Sequence, residues 1–386
     1  MKFSLATNFD DELIDKIKGY DVFELYGRLK HDVLCGGRPN NTQADVDRIQ
    51  FEKHVKKARD NGINFNYLIN GACLNSCETN KQWQKNVSDF LDYLQEKQVN
   101  ALTITNPLLL AFVKKHYPQF ICRVSTFAGV NNLKKAKYWE DIGADIICAD
   151  FCSINRDFDN LQTIVNGLKS AKIELLATNS CVKDCPNLAI HSSGIAHASS
   201  RNGNEKFIDW CLLDCQYSQL LNNTEYIRSP WIRPEDLKYY KQIGIEHIKI
   251  TERGFPTEIL LKRLKAYYNE SYDGNLLDLV QGHGYQFDGT KNKKIIKKDN
   301  FDSIDDIINE IYRIRGFGCE REYPSHIYID NKKLDGFLDY FVSGMCHKNC
   351  ANCKYCENWA KNAITDDESV KDYLIELYKL YREKLI

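Results

Sequence analysis

The sequence predicts an α/β protein: a TIM-type (β/α)8 barrel with a small cysteine-rich C-terminal appendage. Three observations carry this. Over residues 1–270, short runs rich in β-branched and aromatic residues alternate with longer amphipathic stretches, the βαβ pattern of a parallel sheet. Eight such units fit in that length, which is what closing a barrel requires. No glycine-rich dinucleotide turn follows the first strand, which weakens the rival, an open doubly wound sheet.

The eight strands are expected at 3–7, 22–26, 64–70, 101–105, 121–126, 145–149, 172–178 and 247–251. Helical periodicity follows nearly all of them, for example over 46–60, 86–96, 132–142 and 236–243. The barrel is expected to fill 1–280, with a long connection at 179–230. Residues 281–300 break the pattern with glycines and lysines and read as a solvated linker; a phosphate- or RNA-touching loop is the sharper alternative. The remainder, 301–386, begins with a helix near 304–314, passes through a cysteine-dominated stretch and ends in a charged helix from about Asp367.

The 386 residues carry a formal net charge of −1, without the basic excess of a nucleic-acid binder. No apolar run approaches the roughly 20 residues of a spanning helix, and no signal-peptide core is expected at the N-terminus. A cytoplasmic protein without membrane attachment is therefore expected. Its fifteen cysteines are an odd count in a large chain, which argues against a disulfide scaffold and for metal or redox chemistry. Isolated ones, Cys35, Cys122 and Cys319, read as small core residues.

Five pairs share the spacing Cys-x3-Cys: Cys73/Cys77, Cys148/Cys152, Cys181/Cys185, Cys211/Cys215 and Cys346/Cys350. The densest group is CHKNCANCKYC, with Cys346, Cys350, Cys353 and Cys356. Thiolates so close can fold around one soft cation or cluster, and the tight x2 and x3 spacing leans towards 4Fe–4S over zinc. The second group is Cys181 and Cys185 in NSCVKDCP with Cys211 and Cys215 in WCLLDC, both in the connection after the seventh strand. In a barrel that connection opens on the catalytic face. These four suit ligation of a metal or cluster; a set of reduced, partly buried thiols is the bland alternative. Cys73/Cys77 follows the third strand on the same face and could supply a redox dithiol. Cys148 alternates into the barrel core.

At these residues the chain resembles the collagenase-like peptidase family U32. The resemblance is clearest over IRSPWIRPEDLKYYKQIGIEHIKITERG (227–254), GADIICADFCSINRDF (143–158) and NGACLN (70–75). Where relatives end the eighth strand in Gly-Arg, this chain has Thr251-Glu252-Arg253-Gly254. The tail resembles a subgroup that ends in a similar cysteine cluster. The resemblance implies a TIM-like barrel with a 4Fe–4S cluster held by four cysteines, here Cys181, Cys185, Cys211 and Cys215. It also implies relatives in oxygen-independent hydroxylation of ubiquinone precursors or of RNA bases.

Residues at or just past strand ends are expected to line the site: Asn8, Glu24, Tyr26, Asn70, Asn106, Ser125, Asp150, Asn179, Glu252 and Arg253. Asn106, before Pro107, also reads as a helix cap. Glu24, Asp150 and Arg253 are the candidate catalytic residues. Arg253 and Lys249 stand at the eighth strand, where barrels bind anions, and Arg253 is suited to grip a carboxylate bidentately. Its alternative is a salt bridge to Glu252 or Glu24. His191 and His197 flank the cluster loop as a spare ligand or proton donor, or as solvated side chains. The expected function is an iron–sulfur enzyme, with one or two 4Fe–4S clusters or zinc at the tail, modifying a small polar or anionic substrate or a peptide without oxygen. The rivals are a peptidase or amidase, against which no H-E-x-x-H pair appears, a radical S-adenosylmethionine enzyme, whose cysteine triplet would stand in the wrong place, and a non-catalytic iron–sulfur scaffold with a partner protein.

Overall fold

Eight parallel strands close into a barrel: β1 (Lys2–Ala6), β2 (Val22–Gly27), β3 (Asn64–Ile69), β4 (Ala101–Ile104), β5 (Ile121–Val124), β6 (Ile146–Cys148), β7 (Lys172–Leu176) and β8 (His247–Ile250). Closure is the pairing of β1 with β8, from Lys2 opposite His247 to Leu5 opposite Ile250. The computed structural model describes residues 1–200, 207–286, 294–317 and 319–386. All eight expected strands are present, each within two residues of its expected ends.

Helices α1 (Asp11–Lys16), α2 (Arg48–Asp60), α3 (Lys81–Glu96), α4 (Pro107–His116), α5 (Leu133–Asp141) and α6 (Phe158–Gly167) follow β1 to β6 in turn. Asp10, Asp47, Asn80, Asn106 and Asn132 cap the first five, each side chain accepting a backbone N–H of the first turn. The connection after β7 is itself helical, with α7 (Leu188–Ser200), α8 (Trp210–Leu221), α9 (Thr224–Arg228) and α10 (Leu237–Gln242), and α11 (Thr257–Tyr268) follows β8.

The C-terminal part holds α12 (Ile304–Arg315), β9 (Ile327–Ile329), α13 (Asp339–Val342), α14 (Tyr355–Ala363), β10 (Ile364–Asp366) and α15 (Glu368–Leu385). It does not stand apart from the barrel. Leu213 and Leu220 of α8 share an apolar core with Ile307 and Ile311 of α12 and Leu374 and Leu377 of α15. Ile327, Ile329, Leu334 and Phe337 join the main barrel core.

The expected linker is corrected at its start. Gly282, His283 and Gly284 are buried, and a Cβ on Gly284 would fall 2.2 Å from the Gly316 carbonyl oxygen. Only glycine lets the two backbones meet there. Residues 294–300 are mostly exposed, and 287–293 lie outside the described residues. Among the described residues no helix is long and apolar enough to cross a membrane.

Candidate active site at the barrel mouth

Inward-pointing side chains form two levels. The lower level is a buried charged layer. Arg123 of β5 lies between Glu24 of β2 and Glu174 of β7, its Nε 3.2 Å from Glu174 Oε2. Asn66 donates to Glu24 at 2.8 Å and Ser4 to Glu174 at 2.6 Å. Glu24 is fully buried in this layer and does not line the mouth. The expected catalytic placement is thereby corrected: its position two residues before Tyr26 sets it one level down the strand, where it balances Arg123. Cys148 shares this interior, its thiol held protonated by burial and by Glu174.

The upper level opens into a cavity of about 880 Å³ at the C-terminal ends of the strands. Asn8, Tyr26, Asn70, Ser125, Asn179, Glu252 and Arg253 line it, as expected positions, together with Lys249. Asn106 and Asp150 do not. Asn106 caps α4, accepting from Leu109 N at 3.0 Å. Asp150 accepts from Cys152 N at 2.9 Å and from Ser153 Oγ at 2.7 Å, so it fixes the turn that presents Cys152 rather than facing a ligand.

Arg253 is the clearest ligand-facing group. The alternative of a salt bridge fails on geometry: Glu24 is taken by Arg123, and Glu252 by Arg38 at 2.5 Å. Arg38 also donates to the Arg253 carbonyl at 3.0 Å. Among the described residues nothing bonds the Arg253 guanidinium. Burial, with Arg38 beside it, lowers its pKa to about 9, so it stays charged at neutral pH. Glu252 adopts φ +103°, a conformation natural to glycine and worth about 1–3 kcal/mol of strain in other residues. That turn sends Glu252 back to Arg38 and leaves Arg253 to the cavity. Lys249 lies 4.2 Å over the Tyr26 ring, and the Tyr26 hydroxyl donates to the Ile250 carbonyl at 2.9 Å.

The opposite wall carries thiols. Cys181, Cys185, Cys215 and Cys152 all line the cavity, whereas Cys211, one turn earlier on α8, does not. Phe151, Leu176 and Leu188 form an apolar shell around Cys152, Cys181 and Cys185. A hydrogen bond from the Cys152 thiol lowers the Cys181 pKa, helped by His191 and Asn179. Burial raises Cys185, Cys211 and Cys215 instead. Cys152 is the residue that sequence reasoning undervalued; it shares a buried cluster with Cys148, but of the two only Cys152 lines the cavity. Cys319, read as a core residue, is exposed on the cavity rim.

His191 of α7 lines the same wall, its Nε2 2.9 Å from Asp209 Oδ1, with Asp209 also capping α8. Burial opposes its charge, but Asp209 raises its pKa overall. His197 does not line the cavity.

The tail cysteines pack behind this wall. A cleft of about 60 Å³ is lined by Cys152, Arg156, Arg228 and Cys346. Cys350 accepts a long bond from Arg228 through its carbonyl, and burial raises the Cys356 thiol. Among the described residues no three His, Cys, Asp or Glu side chains are drawn together as metal ligands.

A cysteine-held cluster is tested by what its donors sit among. The mouth set offers thiols from three segments and an apolar shell. Within electrostatic reach of Cys215, Arg315 is buried beside Tyr226, and its three guanidinium nitrogens complete no well-formed hydrogen bond. Soft donors, an apolar shell and a buried cation nearby are the chemistry that an anionic iron–sulfur centre takes, while the thiols themselves, among the described residues, are not drawn into a ligating group.

Comparison with known proteins matches residues 30–270 to the family model of peptidase family U32. An uncharacterized protease of Methanocaldococcus jannaschii is 28% identical over 354 residues, spanning 91% of both chains. The solved structure of a U32 peptidase covers 66% of this chain and 93% of its own, at 17% identity and a TM-score of 0.47.

Proposed function

The chain belongs to peptidase family U32, and on that footing we propose that it is an oxygen-independent enzyme acting on a small anionic substrate beside a cysteine-held 4Fe–4S centre. The observation that carries this reading is that one cavity has an uncompensated guanidinium on one wall and several thiols on the other. Cys181, Cys185 and Cys215 would hold the centre, with Cys211 or Cys152 as fourth ligand. Such a centre supplies one-electron transfer or, at an open iron, a Lewis acid. Arg253 and Lys249 bind and orient the substrate's acidic group, Asn70 and Asn179 offer neutral hydrogen bonds, and His191, held by Asp209, can move a proton at its imidazole.

The test is anaerobic purification followed by iron and sulfide analysis. About four of each per chain is expected, or about eight if Cys346, Cys350, Cys353 and Cys356 hold a second centre. Cys181→Ala and Cys215→Ala should each lose the mouth centre, and wild-type iron in both would reject the assignment. Comparing Cys152→Ala with Cys211→Ala identifies the fourth ligand. Zinc found alone at the tail would assign that quartet to zinc.

A hydrolase reading draws on a separate observation. Cys181 and His191 line the same wall of the cavity, and Asp209 holds His191 at 2.9 Å, an arrangement of thiol, imidazole and carboxylate. It predicts peptide or amide hydrolysis by metal-free protein in air, abolished by His191→Ala. Absence of that hydrolysis removes it.

A further inference from the structure

Behind Cys215, α12 ends at Arg315, whose side chain is 2% exposed. Its Nε, Nη1 and Nη2 complete no hydrogen bond. Leaving a guanidinium so is among the costliest arrangements in a protein interior. Its neighbours do not relieve it. Tyr226 lies alongside, buried, and faces the guanidinium as a neutral, weakly held partner; its hydroxyl completes no well-formed hydrogen bond and brings no opposite charge. The Tyr378 hydroxyl donates to Gln216 Oε1 at 2.7 Å. Further out lie more nitrogen bases: His283, His326 and Arg321. Arg321 has Asp278 at 3.5 Å, and no ion pair engages Arg315 among the described residues. Burial and the two arginines keep both imidazoles neutral. The group near Arg315 on the cavity side that can carry negative charge as a ligand is Cys215.

We infer that the region between the Cys215 thiol and a wall made of Arg315 and Tyr226 is an anion site, filled by the net-negative cysteine-held centre, with Arg315 as its fixed counter-charge. This rests on the reading proposed above and extends it. It makes the C-terminal segment part of the site, because α12 brings the charge that the barrel lacks. The backbone holds that charge in place. Gly316, at φ +66°, turns the chain sharply after Arg315, and the Arg315 carbonyl accepts from Gly284 N at 3.1 Å. A guanidinium can donate to sulfur from several nitrogens, which an ammonium cannot copy. Arg315 is thus a positioning residue: hydrogen bonds and charge near the sulfurs set how readily such a centre accepts an electron.

The test compares full-length wild type, Arg315→Met and Arg315→Lys, each reconstituted anaerobically with iron and sulfide. Redox titration followed by visible and electron paramagnetic resonance spectra should give a lower midpoint potential in Arg315→Met, with Arg315→Lys between it and wild type. Thermal melting adds a sign reversal. Without the centre, Arg315→Met should melt above wild type, because an unpaired buried charge is gone; with the centre it should melt below. If Arg315→Met retains no iron, the centre-free forms alone still decide: Arg315→Met melting at or below centre-free wild type overturns the inference. An unshifted midpoint, or lower melting of Arg315→Met in both forms, overturns the inference and leaves the proposed function standing. Wild type that takes up no iron overturns both. Stabilisation of centre-free wild type by inorganic phosphate, absent in Arg315→Met, would show that the site takes an oxyanion instead and also overturns it.

Discussion

The barrel holds charge at two levels, and the two differ in whether each charge has met its opposite. In the interior, Arg123 lies against both Glu24 and Glu174, and Asn66, Thr103 and Ser4 complete the layer. Arg123 Nη2 and Glu24 Oε2 still complete no hydrogen bond, but each belongs to a residue in direct contact with its counter-charge. One level up, Arg253 faces a cavity with no bonded partner among the described residues, and Asn179 Nδ2 is buried and unbonded. A folded chain gains nothing by leaving such groups unmet, whereas a ligand would gain from meeting them. Every charge of the structural layer has its opposite beside it, whereas the binding face, which also carries the pairs Arg38–Glu252 and His191–Asp209, keeps Arg253 over for a ligand.

The comparison can be broken first where it predicts the largest effect. Arg123→Met leaves two buried carboxylates with no cation between them. Breaking a buried ion pair from one side costs about 3–5 kcal/mol, so denaturant unfolding should show a loss of that order. Glu24→Gln should cost less, because Arg123 keeps Glu174. If Arg123→Met instead unfolds like wild type but loses ligand binding, the layer is functional and the distinction collapses.

Much of this architecture was legible in the sequence. The alternation of β-branched runs and amphipathic stretches located all eight strands, because a buried parallel barrel imposes that pattern on every unit. Strand ends located Tyr26, Asn70, Asn179 and Arg253 for the same reason. What failed was depth and local shape. Glu24 and Tyr26 point the same way on one strand, and only register tells which is at the mouth. The 179–230 connection read as a loop because α7 is rich in Ser, Ala and His and has little amphipathic contrast. Cys211 and Cys215 are four apart, a helical interval that looked like a ligand arm; Asp209 before Trp210 was the cap that could have revealed α8. Arg315 gave no signal, since a basic residue in the last turn of an amphipathic helix is ordinarily solvated.

The second effect sharpens the binding face. Arg253→Lys keeps a positive charge but loses the planar fork that makes two parallel bonds to a carboxylate or phosphate. Because no group among the described residues bonds the guanidinium, melting temperature and cluster spectrum should not change. Binding of a small carboxylate, followed calorimetrically under anaerobic conditions, should weaken by about 1–3 kcal/mol. A variant that melts early yet binds normally would place Arg253 with the structural charges.

The smallest effect separates two asparagines that look alike in sequence. Asn70 and Asn106 each stand just past a strand end. Asn70 lines the cavity, accepting from Gly37 N at 3.0 Å and lying 3.4 Å from Ser125 Oγ. Asn106 is turned outward, its side chain accepting from Leu109 N and donating to Glu78 at 3.2 Å. Pro107 at the first position of α4 presets the helical backbone, so the cap need only satisfy one N–H. Asn106→Ala should then cost about 0.5–2 kcal/mol of stability, the usual range for a lost cap, while ligand affinity stays at the wild-type value. Asn106→Asp should recover most of the loss, because a carboxylate accepts the same bond and favours a helix N-terminus, although it would now face Glu78. If Asn106→Ala weakens binding as much as Asn70→Ala does, then facing the cavity is not what distinguishes the two residues, and the geometric separation of cap from ligand contact fails at this strand end.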